Sequence, residues 1–369
     1  MFTSRRPTLG ALALAVTAVL LAACGSSSDS AYSSPTPTST TMSATGTSAA
    51  SSASETSSAT TAAPAVEAGA FPVTIEHEFG STTLESEPKR VVTVGLTDQD
   101  AVLAMGVVPV ATTDWFGTAP GRIFEWAQDK LGDAPVPKVL DGETEFEKVA
   151  ALEPDLILAL YAGITDKDYK LLNAIAPTIG HPKGEVNYAV TWQEQTQIVG
   201  LALGRPAAAE ELVTATEQVI TDTAAKYQEL KGKTGAVVTP YEGIFVYAPE
   251  DPRGRLLTSL GLTYLPALAD INKDEFGTSI SVEKANLMND ADSVIWFGSK
   301  DQVATAVPTF PNLDVAERGG AIYIEEDNDD PFYISTSFIT VLSLPFLLEN
   351  LAPKLAAAVD GDSSTSTVS

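Results

Sequence analysis

Residue types capable of covalent or metal chemistry are scarce in this 369-residue chain. One cysteine, Cys24, excludes an internal disulfide, and two histidines, His77 and His181, supply a multi-histidine metal site poorly. A His-Glu-x-x-His motif opening at His77 requires a histidine at 81, where Ser81 stands. There is no Gly-x-Ser-x-Gly elbow, and neither histidine sits in a nucleophile pattern. Gly232-Lys233-Thr234 has the look of a phosphate-loop end. However, Tyr227 replaces the glycine needed five positions earlier, and the segment precedes a strand-like run instead of following one. Asp327-Asn328-Asp329-Asp330 lacks the glycine and terminal glutamate of a helix-loop-helix calcium loop and reads as a solvated acidic loop. The 48 acidic residues offer carboxylate pairs in principle, but nothing singles one out. Against 22 Lys plus Arg they give a formal charge of −26, which repels nucleic-acid phosphates. The chemistry on offer is therefore recognition by rings and guanidiniums, with no resident metal or cofactor expected.

The elements that would position such groups belong to the α/β class. Val73, Ile75, His77 and Phe79 alternate with polar residues up to a turn at Gly80, which predicts an edge hairpin with His77 packed on its apolar face. Strand-length apolar runs follow at Val91–Leu96, Val107–Thr112, Leu156–Leu160, Ala236–Thr239, Ser293–Phe297 and Ala321–Ile324, alternating with helical stretches. Between the third and fourth runs, Pro206 to Leu230 contains no glycine or internal proline and predicts one helix, roughly 38 Å long at 1.5 Å per residue. That length suits a strut between two lobes. The flanking sequences echo one another: Glu147-Lys148 leads through Asp155 into Leu156-Ile157-Leu158, and Glu283-Lys284 leads through Asp292 into Ser293-Val294-Ile295-Trp296. The reading is two lobes with central, largely parallel sheets flanked by helices and joined by a single long helix. Residues 71–205 form the first lobe, 206–232 the connection, 233–358 the second lobe and 359–369 a disordered tail.

The N-terminus is read as an export device. Arg5 and Arg6 precede the apolar run Ala11 to Leu21, too short to span a bilayer comfortably, and Leu21-Ala22-Ala23-Cys24 resembles a bacterial lipobox. On that resemblance residues 1–23 are a signal peptide and Cys24 carries a lipid anchor to the outer face of the cell membrane. The mature chain then holds 20 basic and 48 acidic residues, a charge of −28. From Gly25 to Pro64, 23 of 40 residues are Ser or Thr and only Asp29 and Glu55 are charged, so residues 24–70 are read as a disordered tether.

Open α/β sheets bind ligands beyond the carboxyl ends of their parallel strands, which places a cleft between the two lobes. The residues expected there are Trp115, Arg122 and Tyr161 from the first lobe and Tyr247, Arg253, Arg255 and Tyr333 from the second. Rings suit a large, partly apolar ligand, and arginine pairs with anionic oxygens or stacks on rings. Each also has a plainer reading, the rings as caps on strand ends and the arginines as solvated counter-charges. Trp192 and Trp296 read as core.

The chain resembles the substrate-binding proteins of iron-siderophore ABC importers, a group that includes vitamin B12 and heme binders. The resemblance runs from about Phe71 to Ala358. It rests on Pro88-Lys89-Arg90-Val91-Val92, Gly95-Leu96-Thr97-Asp98-Gln99-Asp100-Ala101, Leu152-Glu153-Pro154-Asp155-Leu156-Ile157, Ile175-Ala176-Pro177-Thr178, Leu203-Gly204-Arg205 and Ser343-Leu344-Pro345. It implies a non-enzymatic monomer that captures a ferric siderophore, with the iron carried inside the ligand, and delivers it to a permease dimer driven by an ATPase. It also implies that Glu147 and Glu283, one on each lobe, meet the permease. The alternatives are heme or cobalamin as ligand, or an extracellular hydrolase.

Overall fold

A computed structural model describes residues 63–185, 187–272 and 276–365. Cys24, the signal peptide and most of the tether lie outside the described residues. The alternating segment forms the expected hairpin of β1 (Val73–His77) and β2 (Gly80–Leu84), antiparallel, with Ile75 opposite Thr82. His77 is buried, its Nε2 3.1 Å from the Thr82 hydroxyl and its ring 5.2 Å from that of Tyr169. Burial holds its pKa below the usual value.

Five parallel strands make the first-lobe sheet: β3 (Val91–Thr93), β4 (Ala111–Thr113), β5 (Lys138–Leu140), β6 (Leu156–Ala159) and β7 (Thr178–Gly180), in the order β5-β4-β3-β6-β7. Every residue of β6 is buried, as a strand covered on both faces requires. The run expected at Val107–Thr112 enters the sheet only at Ala111, beyond Pro109, which has no N–H to give a ladder.

The second lobe holds β8 (Thr234–Thr239), β9 (Ile244–Tyr247), β10 (Thr263–Tyr264), β11 (Gly277–Ile280), β12 (Ser293–Phe297) and β13 (Ala321–Ile324). Its path is β11-β9-β8-β12-β13, with β10 also on β8. The strands β10, β8, β12 and β13 are parallel, whereas β9 and β11 run antiparallel to their neighbours. The cause is the short link from β8 to β9, which can only double back. Gly243 in that link has φ +105°, and a β-carbon there would strike the Ile280 carbonyl.

The connecting helix runs from Pro206 to Lys226, 21 residues, so it is about 31 Å long, shorter than expected. Tyr227 leaves helical geometry and packs against the second-lobe core, and Leu230 just beyond is fully buried. Before the helix, Ala63–Ala70 is not free chain. Arg205 Nε donates to the Pro64 carbonyl at 2.7 Å, and Ala207 N donates to Glu67 at 2.7 Å. Residues 63–70, placed in the tether by the expected boundary at Phe71, are thus packed against the start of the connecting helix. At the other end, the Ser343–Val359 helix closes the second lobe, and Thr365 still donates to Asp360 at 2.6 Å.

The lobes also meet away from the helix. Trp115, Phe116, Phe124 and Trp126 of the first lobe join the apolar cluster of Tyr333, Leu344, Leu347 and the β12–β13 interior. The Trp115 and Phe338 rings lie 4.8 Å apart, edge to face. The buried Asp100 carboxylate accepts from Trp126 Nε1 at 2.8 Å and from the Thr340 hydroxyl at 2.5 Å. Asp329, in the acidic loop, accepts from the Thr118 N–H at 2.6 Å.

Candidate functional site

Beyond β3, the segment Gly95 to Asp98 fixes the first-lobe rim. Asp98 is wholly buried, and burial raises its pKa against the pull of its hydrogen bonds. Its carboxylate accepts from Leu160 N at 2.8 Å, Tyr161 N at 3.1 Å and Gln195 Nε2 at 2.8 Å. One side chain thereby ties the end of β6 to the Trp192–Ala202 helix and sets where Tyr161 emerges. Gly95 is needed because a β-carbon would overlap the Asp98 carboxylate.

The Tyr161 ring stands 5.5 Å from Tyr188 and 6.3 Å from Phe338. Tyr188, with φ +62°, donates its hydroxyl to Glu143 at 3.1 Å, and Glu143 also accepts from Gly163 N at 3.1 Å. Burial, reinforced by the Glu143 charge, pushes the Tyr188 hydroxyl up to about 12, and burial raises the Glu143 carboxyl as well. The first rim therefore presents two rings, of which Tyr188 has its hydroxyl tied back to Glu143.

The second rim is charged. Asp251 caps the Pro252–Ser259 helix by accepting from Arg253 N at 2.9 Å, and holds the Arg253 guanidinium at both oxygens, 2.7 and 2.9 Å. Arg253 also donates to the Ser337 carbonyl at 2.8 Å and lies over the Tyr247 ring at 4.0 Å. Burial opposes its charge, but the Asp251 carboxylate outweighs that and raises its pKa. Arg255, two residues on, makes no hydrogen bond or ion pair through its guanidinium among the described residues.

Two connected hollows separate the rims. One, of about 570 Å³, is lined by Tyr161, Tyr188, Arg253, Arg255, Phe276 and Phe338. The other, about 370 Å³, takes in Trp192, Glu194, Ser259 and Ile339 and shares Tyr161, Arg255 and Phe338 with the first. A crevice of this size, with five aromatic rings in its lining and one unpaired guanidinium among the described lining residues, can enclose an organic ligand and meet its oxygen atoms. Among the described residues no cluster of three or more His, Cys, Asp or Glu is arranged to hold a metal ion.

Residues 92–311 match the model of the family described as periplasmic binding protein. The chain belongs to that family. It is 26% identical over 270 residues to the probable siderophore-binding lipoprotein YfiY of Bacillus subtilis, which spans 69% of this chain and 80% of the relative. A solved periplasmic solute-binding protein of Mycobacterium smegmatis superposes with a TM-score of 0.68 at 33% identity, covering 78% of this chain and 98% of the other. PiaA of Streptococcus pneumoniae, solved in complex with ferrichrome, gives a TM-score of 0.69 at 29% identity, covering 79% and 99%. The family resemblance read from the sequence holds.

In this periplasmic binding protein Tyr161, Arg253 and Arg255 line the crevice. Tyr247 stands behind Arg253 as its ring support. Three expected wall residues lie elsewhere. Trp115 and Tyr333 are packed in the apolar seam between the lobes, and Arg122 turns to Asp114, Nε to Oδ1 at 2.6 Å. Trp192, read as core, is half-buried and lines the smaller hollow, while Trp296 is fully buried as expected. Tyr188, Phe276 and Phe338 were not foreseen, because none follows a parallel strand directly. Glu147 and Glu283 are both exposed, each in the first turn of the short helix ahead of β6 or β12. A hydrogen bond from the Ser281 side chain holds the Glu283 carboxyl below its usual range.

Proposed function

We propose that this protein is the extracytoplasmic receptor of an ABC importer, that it captures a ferric siderophore in the crevice between its lobes, and that it passes the ligand to a permease dimer served by an ATPase. The crevice carries this reading: it offers aromatic and apolar walls for a large ligand, with Arg255 as the one uncommitted guanidinium among the described lining residues. The relatives' names support the ligand class, and they give the extracellular-hydrolase alternative no support. The protein acts as a monomer held to the membrane through a lipid on Cys24, and iron enters only as cargo inside the chelate.

Trp192 lines the crevice, so ligand binding should quench tryptophan fluorescence. Titration with ferric siderophores, with heme and cobalamin as controls, tests the assignment. Saturable quenching by heme or cobalamin alone would replace it. Glu147 and Glu283 dock the receptor, one on each lobe, where charge complementarity orients the complex and speeds encounter. The Glu147→Ala, Glu283→Ala double variant should bind ligand normally yet lose uptake and ATPase stimulation; normal transport by this variant would remove the docking role.

A further inference from the structure

The charges lining the crevice select among ferric chelates, an inference that rests on the siderophore reading above. Across both hollows the described lining carries four carboxylates, Glu185, Glu194, Glu250 and Asp251, against two guanidiniums, Arg253 and Arg255. Asp251 and Arg253 neutralise each other through two hydrogen bonds of 2.7 and 2.9 Å. Glu194 accepts from the Thr191 hydroxyl at 3.0 Å, which leaves its charge uncancelled. Arg255 is therefore the single uncommitted cation, in a lining whose net charge is negative.

Iron(III) held by three singly charged hydroxamates gives a neutral complex, or a cation where the siderophore carries a free amine. Three doubly charged catecholates leave a trianion. A trianion entering this crevice would lose water beside uncompensated carboxylates and find one guanidinium to meet its charge, a juxtaposition that disfavours binding. A neutral hydroxamate complex escapes that repulsion. Its iron-bound oxygens still accept from Arg255, and its carbon framework lies against Tyr161, Tyr188, Phe276 and Phe338. We infer that the crevice is built for a neutral or cationic ferric trihydroxamate and discriminates against trianionic ferric catecholates.

The test is a fluorescence titration of the full chain with ferrichrome, ferrioxamine B and ferric enterobactin at low and high NaCl. At low salt the hydroxamate complexes should bind at least about tenfold more tightly than the trianion, and added salt should narrow the gap by screening the repulsion. Glu185→Gln, Glu250→Gln should raise affinity for ferric enterobactin about tenfold and leave ferrichrome within about twofold. Equal or tighter binding of the trianion by the wild type would overturn the charge selection and leave the siderophore reading standing. If none of the three binds while heme or cobalamin does, both readings fall.

Discussion

In the first lobe Asp155 accepts from the backbone N–H of Lys89 and Arg90, just where β3 begins, at 2.8 and 2.7 Å. In the second, Asp292 accepts from the N–H of Thr234 at the start of β8, also at 2.8 Å. Each aspartate opens the next parallel strand, β6 or β12, and each of those strands leads to a helix opened by a capping box, Thr165 with Asp168 in one lobe and Ser299 with Gln302 in the other. The sequence echo around Glu147 and Glu283 thus marks a repeated device that registers two parallel strands at their N-terminal ends. At the opposite ends the lobes part company. One rim offers the rings of Tyr161 and Tyr188, the latter with its hydroxyl tied back to Glu143; the other offers Asp251, Arg253 and Arg255. The repeated half is constrained by backbone hydrogen bonding, whereas the rim side chains sit on loops that no ladder dictates. Similar scaffolds can therefore face one ligand with different chemistry.

Breaking the charged rim should cost most. Asp251→Ala leaves the Arg253 guanidinium buried without its partner, and about 3–5 kcal/mol should be lost in urea unfolding. A loss below about 1 kcal/mol would mean that this pair does not hold the second rim together.

The seam between the lobes should respond to pH. Burial lifts the Asp100 carboxyl to about 6 from an ordinary 3.8, with its bonds to Thr340 and Trp126 opposing the rise. The folded protein therefore holds a proton that the unfolded chain releases between those two values. This group's contribution favours the folded state below the window and is lost as pH rises through about 6, a change of about 3 kcal/mol. Asp100→Asn keeps an acceptor for both donors and should abolish that pH dependence. Unfolding free energies of wild type and variant that run parallel across the window would contradict it.

Arg255→Ala should separate binding from folding. Affinity for the proposed ferric siderophore should fall by about 2 kcal/mol, roughly thirtyfold, with unfolding changed by less than about 0.5 kcal/mol, because the guanidinium has no hydrogen-bond partner to lose among the described residues. Unchanged affinity would remove the charged rim from the binding account. Smallest of all, Thr165→Ala and Ser299→Ala should each cost about 1 kcal/mol of stability. Markedly unequal losses would show that the repeated half is alike in geometry but not in energetics.

Sequence by itself determined the α/β class, the hairpin, β6, β12, β13, the start of the connecting helix at Pro206 and the paired aspartates. These depend on apolar runs, a proline and local spacing, all carried within a few neighbouring residues. It also put Tyr161, Arg253 and Arg255 near strand ends, where they line the crevice. Strands of three residues, β5 and β7, carry too little pattern to read. The antiparallel edge and the early end of the connecting helix were missed because a hairpin link and the burial of Leu230 override local propensity. Tertiary structure alone decided which rings line the crevice. Trp115 turns inward because Phe338 arrives from the other lobe, and Phe338 arrives there because Thr340 bonds Asp100 across 240 positions of chain. An apolar ring is driven out of water in either place, so only the partner brought against it settles which side it takes.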